Sequence, residues 1–173
     1  FFPTGLPMMA MGWTLWTDSL KFKDICHDYF QAAFGNEGNK CREYLYEISQ
    51  KFPSSYLDNN ENEINSEVAE SLSEVQESIE DFRSVIEKNL EPNPKIKNCN
   101  QKNQRKSWEY LQHHADIYIE LCQALEEKTR GNIKKARKKW KQVVELVQSQ
   151  EKELHSVFDV WNFIDVLSKQ FKN

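Results

Sequence analysis

Residues 64–90 read INSEVAESLSEVQESIEDFRSVIEKNL. Ile64, Val68, Leu72, Val75, Ile79, Phe82, Val85/Ile86 and Leu90 recur in steps of three and four, with Glu and Ser filling the positions between. That spacing lays an apolar stripe along one side of an α-helix, and a stripe this long packs antiparallel helices at shallow angles. Pro92-Asn93-Pro94 stops it, since proline supplies no backbone N–H and restricts the residue before it. Residues 93–106 hold only Ile96 and Cys99 as apolar side chains and read as a surface loop.

The same periodicity runs outward in both directions. Residues 18–34 place Phe22, Ile25, Cys26, Tyr29, Phe30 and Ala33 on one helical face, with Asp18 or Ser19 as the capping approach and Gly35 as the stop. Residues 39–52 turn Cys41, Tyr44, Leu45, Ile48 and Phe52 inward and end at Pro53, and the short joint before them makes the two helices antiparallel neighbours. Past the loop, Trp108, Leu111, Ala115, Tyr118, Leu121/Cys122 and Leu125 form a fourth helix over about 105–129. A fifth starts at Asn132 as N-cap and carries Ile133, Ala136, Trp140, Val143/Val144 and Val147. Val157, Phe158, Trp161, Ile164, Leu167 and Phe171 resume the stripe as a sixth helix or a bent continuation. The expected fold is all-α, a five- to six-helix bundle over residues 18–173 behind an extended, uncharged lead-in at 1–17. Trp108, Trp140 and Trp161 are expected in its core.

Composition agrees with that architecture. A chain of 173 residues is long enough to bury one core without disulfide staples. Five Gly and five Pro, set against abundant Glu, Lys, Gln and Leu, favour helix over sheet. A net charge of −4 gives no general attraction to nucleic acid or acidic membranes, and no apolar run is long enough to span a bilayer. Cys26, Cys41, Cys99 and Cys122 form no CxxC pair, so free thiols in a reducing compartment, the cytoplasm, outweigh disulfides. Pairing of Cys26 with Cys41 stays open.

Motifs that carry chemistry are missing. A di-metal carboxylate bundle needs two inward Glu-x-x-His motifs, and only Asp24-x-x-His27 comes close. Glu109/His113 and Glu151/His155 are i,i+4 pairs of the ordinary surface kind. There is no P-loop, no dinucleotide fingerprint, no nucleophile elbow and no recognisable pair of facing carboxylates. No catalytic residue, metal site or cofactor is therefore expected. The run RGNIKKARKKWK, residues 130–141, holds seven basic side chains. Ile133, Ala136 and Trp140 take its buried positions, leaving no aromatic for a base to stack on, and the acidic helix at 64–90 is a ready neighbour. A solvated face outweighs a nucleic-acid site.

The opening segment FFPTGLPMMAMGWTLWT, residues 1–17, has no charged side chain. Uncharged aromatic surface of this kind must be covered by something, so the chain is read as a domain of a longer protein. The run around Met11-Gly12-Trp13-Thr14-Leu15-Trp16 alternates enough for a strand, which would turn Trp13 and Trp16 to opposite sides. The two tryptophans are candidate sugar platforms, although packing against the bundle is the stronger reading from pattern alone.

Residues 2–35, FPTGLPMMAMGWTLWTDSLKFKDICHDYFQAAFG, resemble a junction in a family of glycosidase-like bacterial proteins. Many members of that family are described only as a domain of unknown function, related in layout to α-glucuronidases and β-N-acetylhexosaminidases. The resemblance is carried by Leu15-Trp16 and by Asp28-Tyr29-Phe30 through Phe34-Gly35. It continues more thinly through Trp108 to Leu111, Glu151 and residues 157–163, VFDVWNF. It implies a C-terminal helical module behind the last strand of a (β/α)8 barrel, with the acid and base on the barrel. The expected function is then non-catalytic, buttressing a carbohydrate-active barrel upstream in the same chain, with Trp13 or Trp16 near the sugar. The alternative is a helical protein-interaction module docking through its charged helices.

Overall fold

A computed structural model of the chain describes residues 5–16, 19, 21–53, 64–92 and 98–171. Among these, eight α-helices follow one another: α1 Leu6–Trp16, α2 Phe22–Phe34, α3 Gly38–Lys51, α4 Ser66–Leu90, α5 Cys99–Thr129, α6 Ile133–Ser149, α7 Glu151–Leu154 and α8 Val160–Ser168. The all-α bundle is as expected, and no strand occurs among the described residues.

Residues 1–4 and 17 of the expected extended lead-in lie outside the described residues, and the part between them is not extended. Leu6–Trp16 is a helix, so the strand expected there, and with it the opposed placing of Trp13 and Trp16, is corrected. Pro7 falls in the first turn, where a helix has no use for its N–H. Leu6, Met8, Met9, Ala10 and Met11 are good helix formers, and they outweigh the roughly 1 kcal/mol that Gly12 costs in a helix interior. Proline and glycine content is the wrong guide here, because position inside the helix decides their cost.

The bundle centres on α5. Its buried side chains, among them Trp108, Leu111, Ala115, Ile117, Leu121 and Leu125, cover well over half of its circumference, and Glu109, Gln112, Asp116, Glu120 and Gln123 form the polar stripe that remains. So broad an apolar face needs more than one neighbour, and α4, α6 and α2 pack against it. The stripe of α4 meets it through Leu72, Val75, Ile79 and Ile86, and that of α6 through Ala136, Trp140, Val143 and Val147. Arg83 on α4 adds an ion pair to Asp116 on α5 at 2.9 Å.

Ring packing closes the ends. Phe34 meets Trp108 edge-on at 5.1 Å, Tyr44 stacks on Phe82 at 4.3 Å, and Trp140 stacks on Phe171 at 5.0 Å. The α2–α3 hairpin turns through Gly35, which has φ of +65°. A Cβ on Gly38 would lie 2.4 Å from the carbonyl oxygen of Phe30, so α3 starts at a position that only glycine fits.

Three further boundaries differ from expectation. α5 begins at Cys99, so much of the expected 93–106 loop is helix; Asn98 caps it by accepting a bond from the Gln101 N–H at 2.8 Å. The first expected helix starts at Phe22, and Phe22 itself is exposed; Asp18 lies outside the described residues. Trp161 is the third. It is 59% exposed, whereas Trp108 and Trp140 are 3% and 7% exposed, so the inward register holds at those two, while Ile133 at the start of α6 and Val157 and Trp161 are exposed and Leu167 and Phe171 are buried as expected. The breaks at Gln150 and at residues 155–159 reset the helical phase: Val160, Phe163 and Leu167 are the buried side of α8.

Replacing Trp108 or Trp140 by Ala is expected to cost about 3–5 kcal/mol in urea denaturation, and replacing Trp161 about 1 kcal/mol or less. A Trp161 cost equal to the other two would contradict this packing. Gly38→Ala is expected to cost about 1–3 kcal/mol, since Phe30 must move; a neutral effect in the same assay would contradict the close approach.

Candidate functional site

α1 carries no charged residue and contributes no buried one. Met8, Met11, Trp13, Leu15 and Trp16 are exposed, Trp13 by 44% and Trp16 by 87%. Being three residues apart on a helix, Trp13 and Trp16 share a side rather than opposing each other. The helix is tied to the bundle at its start: the Gly5 N–H donates to the Tyr29 hydroxyl at 2.7 Å, and Leu6 packs on the core. Burial raises the Tyr29 hydroxyl above its ordinary pKa, with the Gly5 bond opposing, so it stays protonated.

Beside α1 runs an apolar groove of about 420 Å³ between α1, α2 and α3. Leu6, Phe22, Cys26, Phe30, Leu45 and Tyr46 line it, with Arg42 and Glu43 at its polar side. Phe22 and Tyr46 are exposed, so the groove and α1 form one apolar end of the molecule. The periodicity of residues 18–34 places Phe22 in the core and gives no sign of this groove, because an extended α1 segment leaves no wall for it.

Elsewhere many polar side chains link neighbouring turns and helices of the bundle. In the basic run, Arg130 pairs with Glu126 at 2.6 Å, Lys139 with Glu120 at 3.7 Å and Lys135 with Glu127 at 3.9 Å. Arg137 donates to the Phe171 carbonyl at 3.1 Å. The acidic partners belong to α5 and not to the helix at 64–90, which is a correction. Lys134, Lys138 and Lys141 remain exposed on one side of α6.

The expected i,i+4 pairs Glu109/His113 and Glu151/His155 give way to other partners. His113 meets Glu153 at 2.9 Å, while Glu109 serves Arg105 and Lys106 at 3.4 Å and 3.6 Å. Glu151 accepts from the Trp161 indole N–H at 2.7 Å, and His155 Nδ1 donates to the Lys152 carbonyl at 2.8 Å. Among the described residues no three His, Cys, Asp or Glu side chains gather as a metal site.

Cys26, Cys41 and Cys122 are buried and Cys99 is exposed, all as free thiols. Burial raises the pKa of the first three, which keeps them protonated and poor nucleophiles. No helix among the described residues is long and apolar enough to cross a membrane.

No family model matches this chain, and neither a curated protein nor a solved structure matches it. The geometry therefore carries the functional reading.

One buried titratable group gives a direct test of the core. His114 lies within α5, stacked on Tyr118 at 4.2 Å, and burial lowers its pKa from 6.5 to about 3. Below pH 6.5 the unfolded chain takes a proton that the folded chain refuses, so stability falls as pH drops. The slope reaches at most about 1.4 kcal/mol per pH unit. Urea denaturation between pH 7 and pH 5 is expected to show this slope and His114→Phe to flatten it. Identical pH profiles for the two proteins would contradict a neutral, buried His114.

Proposed function

We propose that this chain is a non-catalytic helical module of a larger, carbohydrate-active protein, and that it seats on an adjoining domain through α1 and the groove beside it. The observation that carries the docking part is α1 itself: an uncharged helix with Met8, Met11, Trp13, Leu15 and Trp16 exposed. Exposed apolar patches of this kind mark interfaces. The carbohydrate part is supported by the resemblance of residues 2–35 and 151–163 to glycosidase-like proteins, whose barrel would be the adjoining domain. Trp13 and Trp16, on one side of α1, then lend an aromatic face to the sugar site at that junction.

The last-strand role for residues 1–17 is not part of this proposal, because Leu6–Trp16 is helical. Docking needs only the surface. Docking through the charged helices instead is the weaker reading, since Lys135, Arg137 and Lys139 of α6 are already engaged by α5 or a backbone carbonyl, which leaves Lys134, Lys138 and Lys141 for a partner.

The test compares this chain with the whole protein from its native gene. Leu15→Glu with Trp16→Glu should leave the stability of the chain alone within about 0.5 kcal/mol, as for exposed positions generally, and destabilise the whole protein. Equal effects in both would contradict docking through α1. On aryl glycosides the whole protein should turn over substrate and the chain alone should not; activity in the chain, or none in the whole protein, would contradict the carbohydrate part.

A further inference from the structure

A second cavity lies away from α1, where the C-terminal turn of α2 and the last turn of α4 meet the first turns of α5. It has a volume of about 530 Å³, within the roughly 300–1,000 Å³ typical of small-molecule sites. Gln101, Gln104, Arg105 and Trp108 enter it from α5 at the spacing of one helical side. Gln31 and Asn36 face them from α2 and the turn after it, and Asn89 from α4. Phe34 and the buried Trp108 form the floor.

The wall is fixed rather than incidental. Gln104 donates from Nε2 to the Ala32 carbonyl at 3.3 Å. Its Oε1 lies 3.2 Å from where a Cβ on Gly35 would sit, at a residue with φ of +65°. Only glycine there lets the amide stand so close to the turn. Asn89 donates to the Val85 carbonyl at 2.8 Å, which orients its own oxygen.

The charges in the cleft are already engaged. Glu37 pairs with Lys40 at 2.8 Å, and Arg105 reaches Glu109 at 3.4 Å and the Glu91 carbonyl at 3.2 Å. The side-chain amides of Gln31 and Asn36 bond to no other residue among those described. What the cleft offers a ligand is thus chiefly amide: a donor and an acceptor on each of Gln31 and Asn36, beside the amides of Gln104 and Asn89 that backbone carbonyls hold in place. A phosphate or a zwitterion would have to break existing ion pairs. Hydroxyl groups, which both donate and accept, match the amides as they stand.

We propose that this cleft binds a neutral, polyhydroxylated ligand of the size of a mono- or disaccharide. The inference deepens the proposed carbohydrate role and rests on it only for the choice of sugars as probes; it is independent of where α1 docks.

The test is an NMR titration of the ¹⁵N-labelled chain with D-glucose, N-acetyl-D-glucosamine and maltose, with glycine and inorganic phosphate as charged comparators. At least one sugar should shift the side-chain amides of Gln31, Asn36 and Gln104 saturably, with a dissociation constant on the order of 1 mM. Gln31→Ala with Asn36→Ala, both exposed positions, should weaken this about tenfold or more while leaving the thermal midpoint in place. Leu15→Glu with Trp16→Glu should leave the titration unchanged. The proposal is overturned if no sugar gives a saturable shift at about 100 mM, far above that constant. It is equally overturned if only glycine or phosphate shifts the cleft, if the Gln31/Asn36 variant binds as well as the original, or if the α1 variant abolishes the response. Each of these failures leaves the glycoside assay of the whole protein to decide the wider reading separately.

Discussion

The structure depends on covering α5. From Trp108 to Thr129 this helix buries well over half of its circumference, with Leu111, Ala115, Cys122 and Leu125 at the limit of solvent exclusion. A helix of that kind is stable only inside a shell of others. α4 and α6 supply two walls with their stripes, and the α2–α3 hairpin contributes the next, entered through the tight turn at Gly35 and Gly38. Polar groups then follow the packing: Arg83 with Asp116 and Lys139 with Glu120 bridge neighbouring helices at their solvent edges. Exposed pairs of this sort contribute little energy individually, about 0–1 kcal/mol, and the burial of α5 stabilises the bundle far more.

Much of this was legible in the sequence where the helical period was long and uninterrupted. The stripe from Val68 to Leu90 and the inward Trp108 and Trp140 follow from spacing alone, because each phase error would have exposed several large side chains at once. Legibility failed where segments were short or polar. α8 has nine residues and is separated from α6 by breaks at Gln150 and at residues 155–159, so its phase cannot be carried over from α6, and Trp161 points to Glu151 instead of inward. The first turns of α5 are polar because they project past the bundle, and the signal that they are helical is the cap at Asn98 with the Gln and Lys residues after it. In α1 the proline sits in the first turn, where it costs nothing, so a count of prolines and glycines says little about that segment.

The candidate surfaces were less legible than the fold, for a physical reason. The groove beside α1 and the amide cleft above Trp108 are each assembled from three or more elements distant in sequence. No local spacing announces them. Trp13 and Trp16 could be picked out as uncovered aromatics, yet only the helix puts them on one side and beside Phe22 and Tyr46. Met8, Met11, Trp13, Leu15 and Trp16 of α1 thereby join Phe22 and Tyr46 as exposed apolar surface at one end of the bundle. That uncovered surface is what points to a neighbour.

The central claim is that α1 completes its burial against another domain, and hydrogen exchange measures this most directly. Exchange at Leu6–Trp16 should be fast in this chain alone, where few tertiary contacts hold the helix, while α4, α5 and α6 exchange slowly. In the whole protein the same segment should become protected by about tenfold or more with α4 to α6 little changed, as expected for a helix that gains cover. Equal exchange of Leu6–Trp16 in both proteins would contradict the account.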